Sequence, residues 1–313
     1  MPTKVKCLAS LKTGKRDLRA DDIEIKILYC GICHSDIHHV RNNWGPDGYG
    51  YPVVPGHEIV GKVFRVGADV SKFQVGDSTC ATCKNDREQY CASPSFIYGS
   101  LDRRDGSRTY GGYTETIVVA EKLCFPSLTA LTLLGAPLLC AGITIYSPVL
   151  GVVSLGGLGH MALKLAKAMG ADVTLFSRSQ GKAEDAKRLG VDNFLISSDP
   201  EQMEAVAGQF DLINDTVPYN HDSPPLVPPR LVLQRQNLAG SLLGRIKETQ
   251  EMLDFCGQHG IISDIEMIDS RDLHSAYECV VKGDVEYRFV IDIATLKIES
   301  FNVFLNTIYL RSC

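Results

Sequence analysis

Residues that can bind a metal ion cluster in two short stretches of the chain. The first stretch, YCGICHSDIHHV, spans 29–40, and the second, PGHEIVG, spans 55–61. Thiolate and imidazole ligands that leave one position open are the donor set of a catalytic zinc ion, and a nearby carboxylate can orient a ligating imidazole. The alternative interpretation is that these are ordinary turn residues. The candidate residues are Cys33, His34, Ser35, Asp36, His38, His57 and Glu58.

Further cysteines lie close together in the segment CATCKNDREQYC at 80–91. The spacing of Cys80, Cys83 and Cys91 suits a structural zinc knuckle, in which turns of the chain bring sulfur atoms to the metal. These three thiolates are one short of a closed four-coordinate site. The alternatives are a set of free thiols or a redox pair.

A glycine-rich turn follows the apolar segment GVVSL at 151–155. Glycines after a strand let backbone N–H groups approach a dinucleotide pyrophosphate at the N-terminus of the next helix. A helix is predicted there, because apolar residues between 158 and 169 recur at spacings of three and four. Ser154 stands where the pattern G-x-G-x-x-G has its first glycine. The candidate cofactor-binding residues are Ser154, Gly156, Gly157, Leu158 and Gly159.

The end of the next predicted strand, DVTLFS at 172–177, indicates which dinucleotide binds. A site that prefers NAD has Asp or Glu here to bind the ribose 2′-hydroxyl. This strand instead ends at Ser177, is followed by Arg178 and Lys182, and reaches its first carboxylate only at Glu184. Hydroxyl and basic groups suit the 2′-phosphate of NADP. The alternative is that Arg178 and Lys182 are solvated surface charges.

Two patterns of secondary structure are predicted to position these residues. Residues 1–130 contain short β-branched segments broken by glycine and proline turns, which indicates an irregular, mostly antiparallel β domain. From 151 the pattern becomes strand, glycine turn and helix, and successive βαβ units predict a doubly wound parallel sheet of the α/β class. The predicted strands are 23–30, 58–66, 115–123, 151–155, 172–177, 194–197 and 210–215. The tail after about 270 returns to a mixed pattern that ends in YRFVIDI at 287–293.

Composition and charge narrow the class of protein. The 313 residues are 44% hydrophobic and 22% charged, with a net charge of −5, which excludes general disorder, a collagen and a coiled coil. The acidic balance and the lack of a long Lys/Arg run speak against nucleic acid or an anionic membrane as a partner. No stretch of about 20 apolar residues and no secretory signal are found. The 11 cysteines are therefore expected to be cytoplasmic thiols or metal ligands.

The motifs together resemble those of a known family. The chain is similar to the zinc-dependent medium-chain alcohol dehydrogenases, and within them to the cinnamyl-alcohol-dehydrogenase-like, NADP-dependent branch. This resemblance implies a GroES-like β catalytic domain over 1–145, completed by about 272–313, a Rossmann domain over 146–271, and a homodimer. The motifs that carry it, in chain order, are GICHSDIH, PGHEIVG, YGGYTE, APLLCAGITIYSP, SLGGLGHMALKLAKAMG, KETQEML and YRFVID.

The resemblance also implies a role for each residue of a catalytic zinc site. It makes Cys33, His57 and Cys140 the zinc ligands. Cys140 lies in an apolar segment, where reasoning from the residues alone does not single it out. Glu58 matches a carboxylate beside the zinc, and Asp36 matches the partner of the ligating histidine.

Further roles follow from the same resemblance. Ser35 and His38 match a relay that passes the alcohol proton towards solvent, and Cys80, Cys83 and Cys91 match ligands of a structural zinc. The implied function is hydride transfer between NADP(H) and a small-molecule alcohol or aldehyde. Within that function, the chain is expected to reduce aromatic or medium aliphatic aldehydes.

The chain departs from the family pattern in several places. The N-terminal strand region, the stretch before Cys80 and the linker between Pro148 and Gly151 are shortened. Asp77 stands where the pattern requires the fourth structural cysteine, and a helix and a Rossmann strand are missing after His221-Asp222. An incomplete Rossmann sheet is therefore one expectation. These departures motivate an alternative function, a catalytically impaired homologue that keeps the fold as a binding protein.

Overall fold

The structure is a computed structural model of the chain. Every helix within the described ranges is too short or too polar to cross a lipid bilayer. The predictions for Asp77, Cys80, Cys83, Cys91 and the segment after Asp222 fall outside those ranges. The structure describes residues 17–43, 51–70, 95–125, 133–146, 152–207, 209–210, 212–217 and 244–296.

The described residues form strands, α-helices and short 3-10 helices. The strands are β1 (Asp22–Gly31), β2 (Glu58–Val66), β3 (Thr116–Ala120), β4 (Val152–Val153), β5 (Thr174–Ser177), β6 (Asn193–Ile196), β7 (Asn214–Asp215), β8 (Ile265–Asp269) and β9 (Arg288–Asp292). The α-helices are α1 (His34–Val40), α2 (Ala141–Tyr146), α3 (Gly157–Ala168), α4 (Ala183–Arg188), α5 (Pro200–Ala205), α6 (Ile246–His259) and α7 (Leu273–Lys282). The 3-10 helices are Glu121–Leu123, Leu133–Leu139, Gln180–Lys182, Ser270–Asp272 and Ile293–Thr295.

The chain divides into two compact units. The larger unit contains Met1–Cys140 and Arg245–Cys313, and the smaller unit contains Ala141–Gly244. Helix α6 belongs to the larger unit, whereas the division at 271 assigns it to the Rossmann domain. The assignment of residues to catalytic and cofactor-binding domains stays a prediction.

The larger unit is built on a mostly antiparallel sheet with β1 at its centre. One edge of β1 pairs with β2, and the other edge pairs with β3 along Asp22–Lys26 and with β9 along Tyr29–Gly31. Strand β8 extends the sheet beyond β9 in the parallel direction. The predicted strands at 23–30 and 58–66 are confirmed by β1 and β2, and the end of the mixed tail, 287–293, contains β9.

The core of the larger unit joins this sheet to α1 and α7. Ile27 of β1, Ile37 of α1, Tyr277 of α7 and Ile291 of β9 are buried in one apolar cluster. Burial of such side chains is the main favourable term in folding. Because Ile37 anchors α1 in this cluster, the N-terminus of α1 is held close to the end of β1.

The smaller unit contains a parallel sheet in the order β6-β5-β4-β7. Its first strand, β4, lies inside the sheet with later strands on both sides, which is the arrangement of a doubly wound sheet. The predicted strands at 172–177 and 194–197 are confirmed by β5 and β6, with shifted ends.

Helix α3 follows β4, as the glycine turn predicts. Met161, Ala162 and Leu165 of the predicted apolar stripe are buried. Gly170, just after the helix, has a φ of 83°, a left-handed conformation that glycine adopts without steric cost at helix ends. Met169, predicted on the same stripe, is 37% exposed because it lies beyond the last helical residue.

Candidate metal centre and cofactor site

Separate parts of the larger unit place the predicted zinc ligands. Cys33 is the residue before α1, and His57 and Glu58 stand at the start of β2. Because β1 and β2 are paired, with Gly31 opposite Glu58, the beginning of α1 and the beginning of β2 lie side by side. Cys140 approaches from the end of the 3-10 helix that precedes it.

The side chains of these residues converge. One ligand atom from each of Cys33, His57, Glu58 and Cys140 lies within 4.8 Å of the others. The Sγ atoms of Cys33 and Cys140 are 3.8 Å apart, and Ser35 Oγ is 3.4 Å from Cys33 Sγ. Thiolate sulfur and imidazole nitrogen are donors that suit zinc. The residues present therefore fit a zinc ion, and their role as its ligands stays a prediction.

Asp36 is a fully buried carboxylate beside His57. Its Oδ1 accepts hydrogen bonds from the backbone N–H of Gly56 at 3.0 Å and the hydroxyl of Tyr98 at 2.8 Å, and lies 3.1 Å from His57 Nδ1. Its Oδ2 accepts the backbone N–H of Cys33 at 2.9 Å. An ionised carboxylate only accepts hydrogen bonds, so Nδ1 of His57 carries the proton and Nε2 is left to bind a metal.

Arg288 of β9 is a site residue that was not among the predicted ones. Its Nη1 lies 3.2 Å from Glu58 Oε1 and donates to the carbonyl of Ile32 at 3.2 Å. Among the described residues, neither carboxylate oxygen of Glu58 has a hydrogen-bond partner. Burial raises the pKa of Glu58 to about 7, although the charge of Arg288 acts in the opposite direction. A buried carboxylate with free lone pairs is a further feature that a cation would satisfy.

The thiols of Cys33 and Cys140 have pKa values that are shifted in opposite directions. The pKa of Cys33 is well below its usual value, first because the thiol of Cys140 donates a hydrogen bond to it and despite the opposing effect of burial. That hydrogen bond, followed by burial, raises the pKa of Cys140. Burial lowers the pKa of His57, but the charge and hydrogen bond of Asp36 outweigh it and leave the pKa raised. Because zinc binds thiolates, metal binding would release any proton that these two sulfur atoms hold, and Cys140 holds its proton more tightly than Cys33.

The residues of the predicted proton relay both lie on α1. His38 Nδ1 is 3.1 Å from the side-chain nitrogen of Asn43, and the ring centroid of His38 is 5.6 Å from that of His34. Because an amide nitrogen donates, Nδ1 of His38 is an acceptor and Nε2 carries the proton of the neutral ring. Proton transfer through Ser35 and His38 stays a prediction.

The glycine turn of the smaller unit leaves room in front of α3. Gly156 precedes Gly157 and Leu158, the first residues of α3, and a Cβ atom at Gly156 would meet no atom of the described residues within 4 Å. At Gly159 a Cβ atom would overlap the carbonyl oxygen of Ser154. Ser154 has a φ of 79°, a conformation that favours glycine. Open space at a helix N-terminus, closed behind by a tight turn, fits a pyrophosphate.

The predicted 2′-phosphate residues follow one another at the carboxyl end of β5. Ser177 is the last residue of β5 and its Oγ donates to the carbonyl of Ser179 at 3.0 Å. Arg178 is exposed, and Lys182 ends the following 3-10 helix. Dinucleotides bind at this edge of doubly wound sheets, and the contact with a 2′-phosphate stays a prediction.

Convergent thiol and imidazole side chains, together with a doubly wound sheet that carries a glycine turn, are typical of a metal-dependent dehydrogenase. Residues 19–129 match the family model of the alcohol dehydrogenase GroES-like domain, and 157–226 match that of the zinc-binding dehydrogenases. A probable mannitol dehydrogenase of Medicago sativa is 45% identical over 334 positions, which cover 92% of this chain and 92% of that protein. The chain belongs to the zinc-binding alcohol dehydrogenase family.

Solved structures agree with this assignment. A cinnamyl alcohol dehydrogenase of Sorghum bicolor superposes with a TM-score of 0.84 and 40% identity, covering 90% of this chain and 93% of its own. A Helicobacter pylori enzyme of that type, complexed with NADP(H), gives a TM-score of 0.80 and 36% identity with the same coverage. The predicted family, the α/β fold with GroES-like and Rossmann-type parts, and the predicted enzyme class are confirmed.

The comparison also bears on the predicted departures from the family pattern. The alignment with the Medicago sativa protein spans 334 positions, whereas the chain has 313 residues. The relative therefore has residues for which this chain has no counterpart, in agreement with the segments that the sequence indicates are shortened.

Proposed function

We propose that the chain is a zinc-dependent dehydrogenase that interconverts alcohols and aldehydes with NADP(H), and that it reduces aromatic or medium aliphatic aldehydes. The observation that carries this proposal is the convergence of Cys33, His57 and Cys140, with Glu58 beside them, within 4.8 Å. The substrate class is supported by relatives named as mannitol and cinnamyl alcohol dehydrogenases. The cofactor is supported by the NADP(H) complex of the Helicobacter pylori enzyme.

The residues around the metal centre have distinct proposed tasks. Zinc, when bound, polarises a carbonyl group as a Lewis acid, and NADPH supplies the hydride. Asp36 keeps a proton on Nδ1 of His57 and so directs Nε2 to the metal. Ser35, close to the thiolate of Cys33, exchanges a proton with the substrate oxygen, and His38 passes it towards solvent.

The proposed cofactor site lies entirely in the smaller unit. Backbone N–H groups at the start of α3 bind the pyrophosphate, because they point out of the helix N-terminus. Hydroxyl and basic side chains at the end of β5 bind the 2′-phosphate. The residues concerned are Ser154, Gly156, Gly157, Leu158 and Gly159 for the pyrophosphate, and Ser177, Arg178 and Lys182 for the 2′-phosphate.

Domain organisation, assembly and compartment are part of the proposal. The catalytic domain is 1–145 with about 272–313, the cofactor domain is 146–271, and the family resemblance supports a homodimer. The partner is a small alcohol or aldehyde rather than nucleic acid or a membrane. A cytoplasmic location belongs to the proposal, because the cysteines are expected to be thiols or metal ligands rather than disulfides.

Metal analysis and an aldehyde reduction assay on the purified chain test the proposal together. We expect bound zinc and NADPH-dependent reduction of cinnamaldehyde or benzaldehyde. Cys33→Ser removes a thiolate ligand and should abolish both. Cys124→Ser is the control, since its thiol instead lies 3.9 Å from the carbonyl of Ala120 and should be dispensable. Zinc without reduction of any aldehyde would favour the impaired homologue, and no zinc at all would refute the proposal.

The zinc content also tests the proposed structural site. Cys80, Cys83 and Cys91 supply too few thiolates to close a four-coordinate site, so any zinc there should be weakly held. We expect about one zinc per chain rather than two. A stable second zinc bonded to all three sulfur atoms would show that a fourth ligand exists.

A further inference from the structure

Two tyrosine hydroxyls donate to the carboxylate that orients His57. Tyr98 donates to Asp36 Oδ1 at 2.8 Å, and Tyr113 donates to Oδ2 at 3.4 Å. Oδ1 is also the oxygen that lies 3.1 Å from Nδ1 of His57. We propose that Tyr98 is a positioning residue of the metal centre, because its hydroxyl fixes the oxygen of Asp36 that in turn fixes the His57 ring. This inference rests on the proposed zinc site.

The surroundings of Tyr98 direct its single proton to Asp36. The hydroxyl lies 3.2 Å from Nδ1 of His39, and that nitrogen lies 2.8 Å from the backbone carbonyl of Ser35. A carbonyl only accepts hydrogen bonds, so Nδ1 of His39 carries a proton and cannot accept one from Tyr98. The hydroxyl therefore faces a donor on the His39 side and donates to Asp36 on the other.

The hydrogen bond from Tyr98 to Asp36 is costly to lose, because both side chains are buried. Tyr98 is 4% exposed and Asp36 is 0% exposed. A buried carboxylate that loses a donor is not readily resolvated, and hydrogen bonds to charged groups are the stronger ones. Burial, followed by the negative charge of Asp36, raises the pKa of Tyr98. The hydroxyl therefore remains a donor at any pH at which the protein would work.

The loop that follows Tyr98 is held in place at both ends. Arg19 forms an ion pair with Asp102 at 2.9 Å and a second one with Asp105. Beyond the loop, the N–H of Gly112 donates to the carbonyl of Gly56 at 2.7 Å, immediately before His57. Tyr98 is thus presented from a segment tied to the same part of the chain as the proposed ligand. A positioning residue needs this kind of support.

Tyr98→Phe removes only the hydroxyl and tests the proposal directly. Zinc affinity, measured by competition with a chromophoric chelator, should fall about tenfold, as when an outer hydrogen-bond partner of a ligand is lost. Tyr51→Phe is the matched control, because Tyr51 donates to the backbone carbonyls of His39 and Val40 at 3.2 and 3.0 Å. The control should stay within about twofold of wild type, since it removes no hydrogen bond to Asp36.

Cobalt(II) in place of zinc gives a second readout. The ligand-field absorption of cobalt depends on the geometry of its ligands, so Tyr98→Phe should shift these bands and Tyr51→Phe should not. A lower melting temperature of Tyr98→Phe with unchanged bands would indicate a general loss of stability and would overturn the proposal.

Asp36→Asn shows whether Tyr98 acts through the carboxylate. This variant should lose at least as much zinc affinity as Tyr98→Phe, and adding Tyr98→Phe to it should weaken zinc no further. Wild-type affinity in Tyr98→Phe, or additive losses in the double variant, would overturn the proposal. If Tyr98→Phe does not fold, unchanged affinity in Asp36→Asn overturns it and a loss supports it. A wild-type chain that binds no zinc would instead refute the proposed function.

Discussion

Removing the charge of Arg288 should strongly destabilise the metal-free protein. The side chains of Arg288 and Glu58 are 6% and 0% exposed, and their Nη1 and Oε1 atoms are 3.2 Å apart. At an effective dielectric constant of about 20, unit charges at this distance attract by about 5 kcal/mol. Breaking a buried pair costs about 3–5 kcal/mol, because the remaining charge is left uncompensated. Since the pKa of Glu58 is already about 7, proton uptake relieves the carboxylate, and we expect about 3 kcal/mol for Arg288→Met.

The assay is denaturant unfolding of wild type and Arg288→Met after zinc is removed with a chelator. A raised pKa in the folded state means that Glu58 contributes stability at low pH and loses it as the pH rises through about 7. Without Arg288 this pKa should rise further, so the deficit of the variant should be larger at about pH 8 than at about pH 5.

A double-mutant cycle supplies the control for this prediction. Glu58→Gln should also destabilise, because it leaves Arg288 buried without its partner, and the double variant should lose less than the two single losses combined. An unchanged free energy of unfolding in Arg288→Met at about pH 8, or a deficit that does not vary with pH, would refute the reasoning.

Further perturbations test the smaller unit. Gly159→Ala should destabilise the fold by about 1–3 kcal/mol, because its Cβ atom would overlap Ser154. Gly156→Ala should chiefly weaken NADPH binding. Equal effects of the two variants in thermal unfolding and in cofactor titration would contradict this. Arg178→Asp should shift the ratio of kcat/KM for NADPH over NADH by about tenfold towards NADH, and an unchanged ratio would remove Arg178 from the site. Asp199 accepts N–H groups in the first turn of α5, and these hydrogen bonds lower its pKa. Asp199→Ala should therefore lower the melting temperature at neutral pH, with the difference lost as the pH falls through the lowered pKa; identical melting at neutral pH would count against it.

Elements with a strong apolar pattern could be predicted from the sequence. Strand β2 occupies the predicted range 58–66, and α3 begins at the glycine turn. Strand β7 is shorter than the predicted 210–215, because pairing with β4 extends over only Asn214–Asp215. Helix α1 escapes pattern-based reasoning, since His34–Val40 is short and largely polar. Its position depends on tertiary contacts, the burial of Ile37 above all.

Only part of the candidate site could be predicted from the sequence. Cys33 and His57 lie in recognisable clusters, but Cys140 is an isolated cysteine in an apolar segment and could be assigned only through the family resemblance. Arg288 left a signal, a charged residue within the apolar segment YRFVIDI, because a buried charge requires a partner. That partner, Glu58, becomes visible only when the sheet brings β9 next to β1. Tyr98 gave no such signal, since its role depends on the position of one hydroxyl.

The two sulfur atoms of the metal centre come from distant parts of the chain. Cys33 and Cys140 are 107 residues apart in sequence and 3.8 Å apart in space. A zinc ion bound by both would close this loop in the folded chain only, because unfolding separates the ligands, so the free energy of metal binding becomes free energy of folding. A ligand that binds only the folded chain adds about 2.7 kcal/mol to the free energy of unfolding when its free concentration is about 100 times its Kd. The ion would then stabilise the fold of the larger unit as well as serve the chemistry, and its removal would lower the stability of strands far from the reacting atoms.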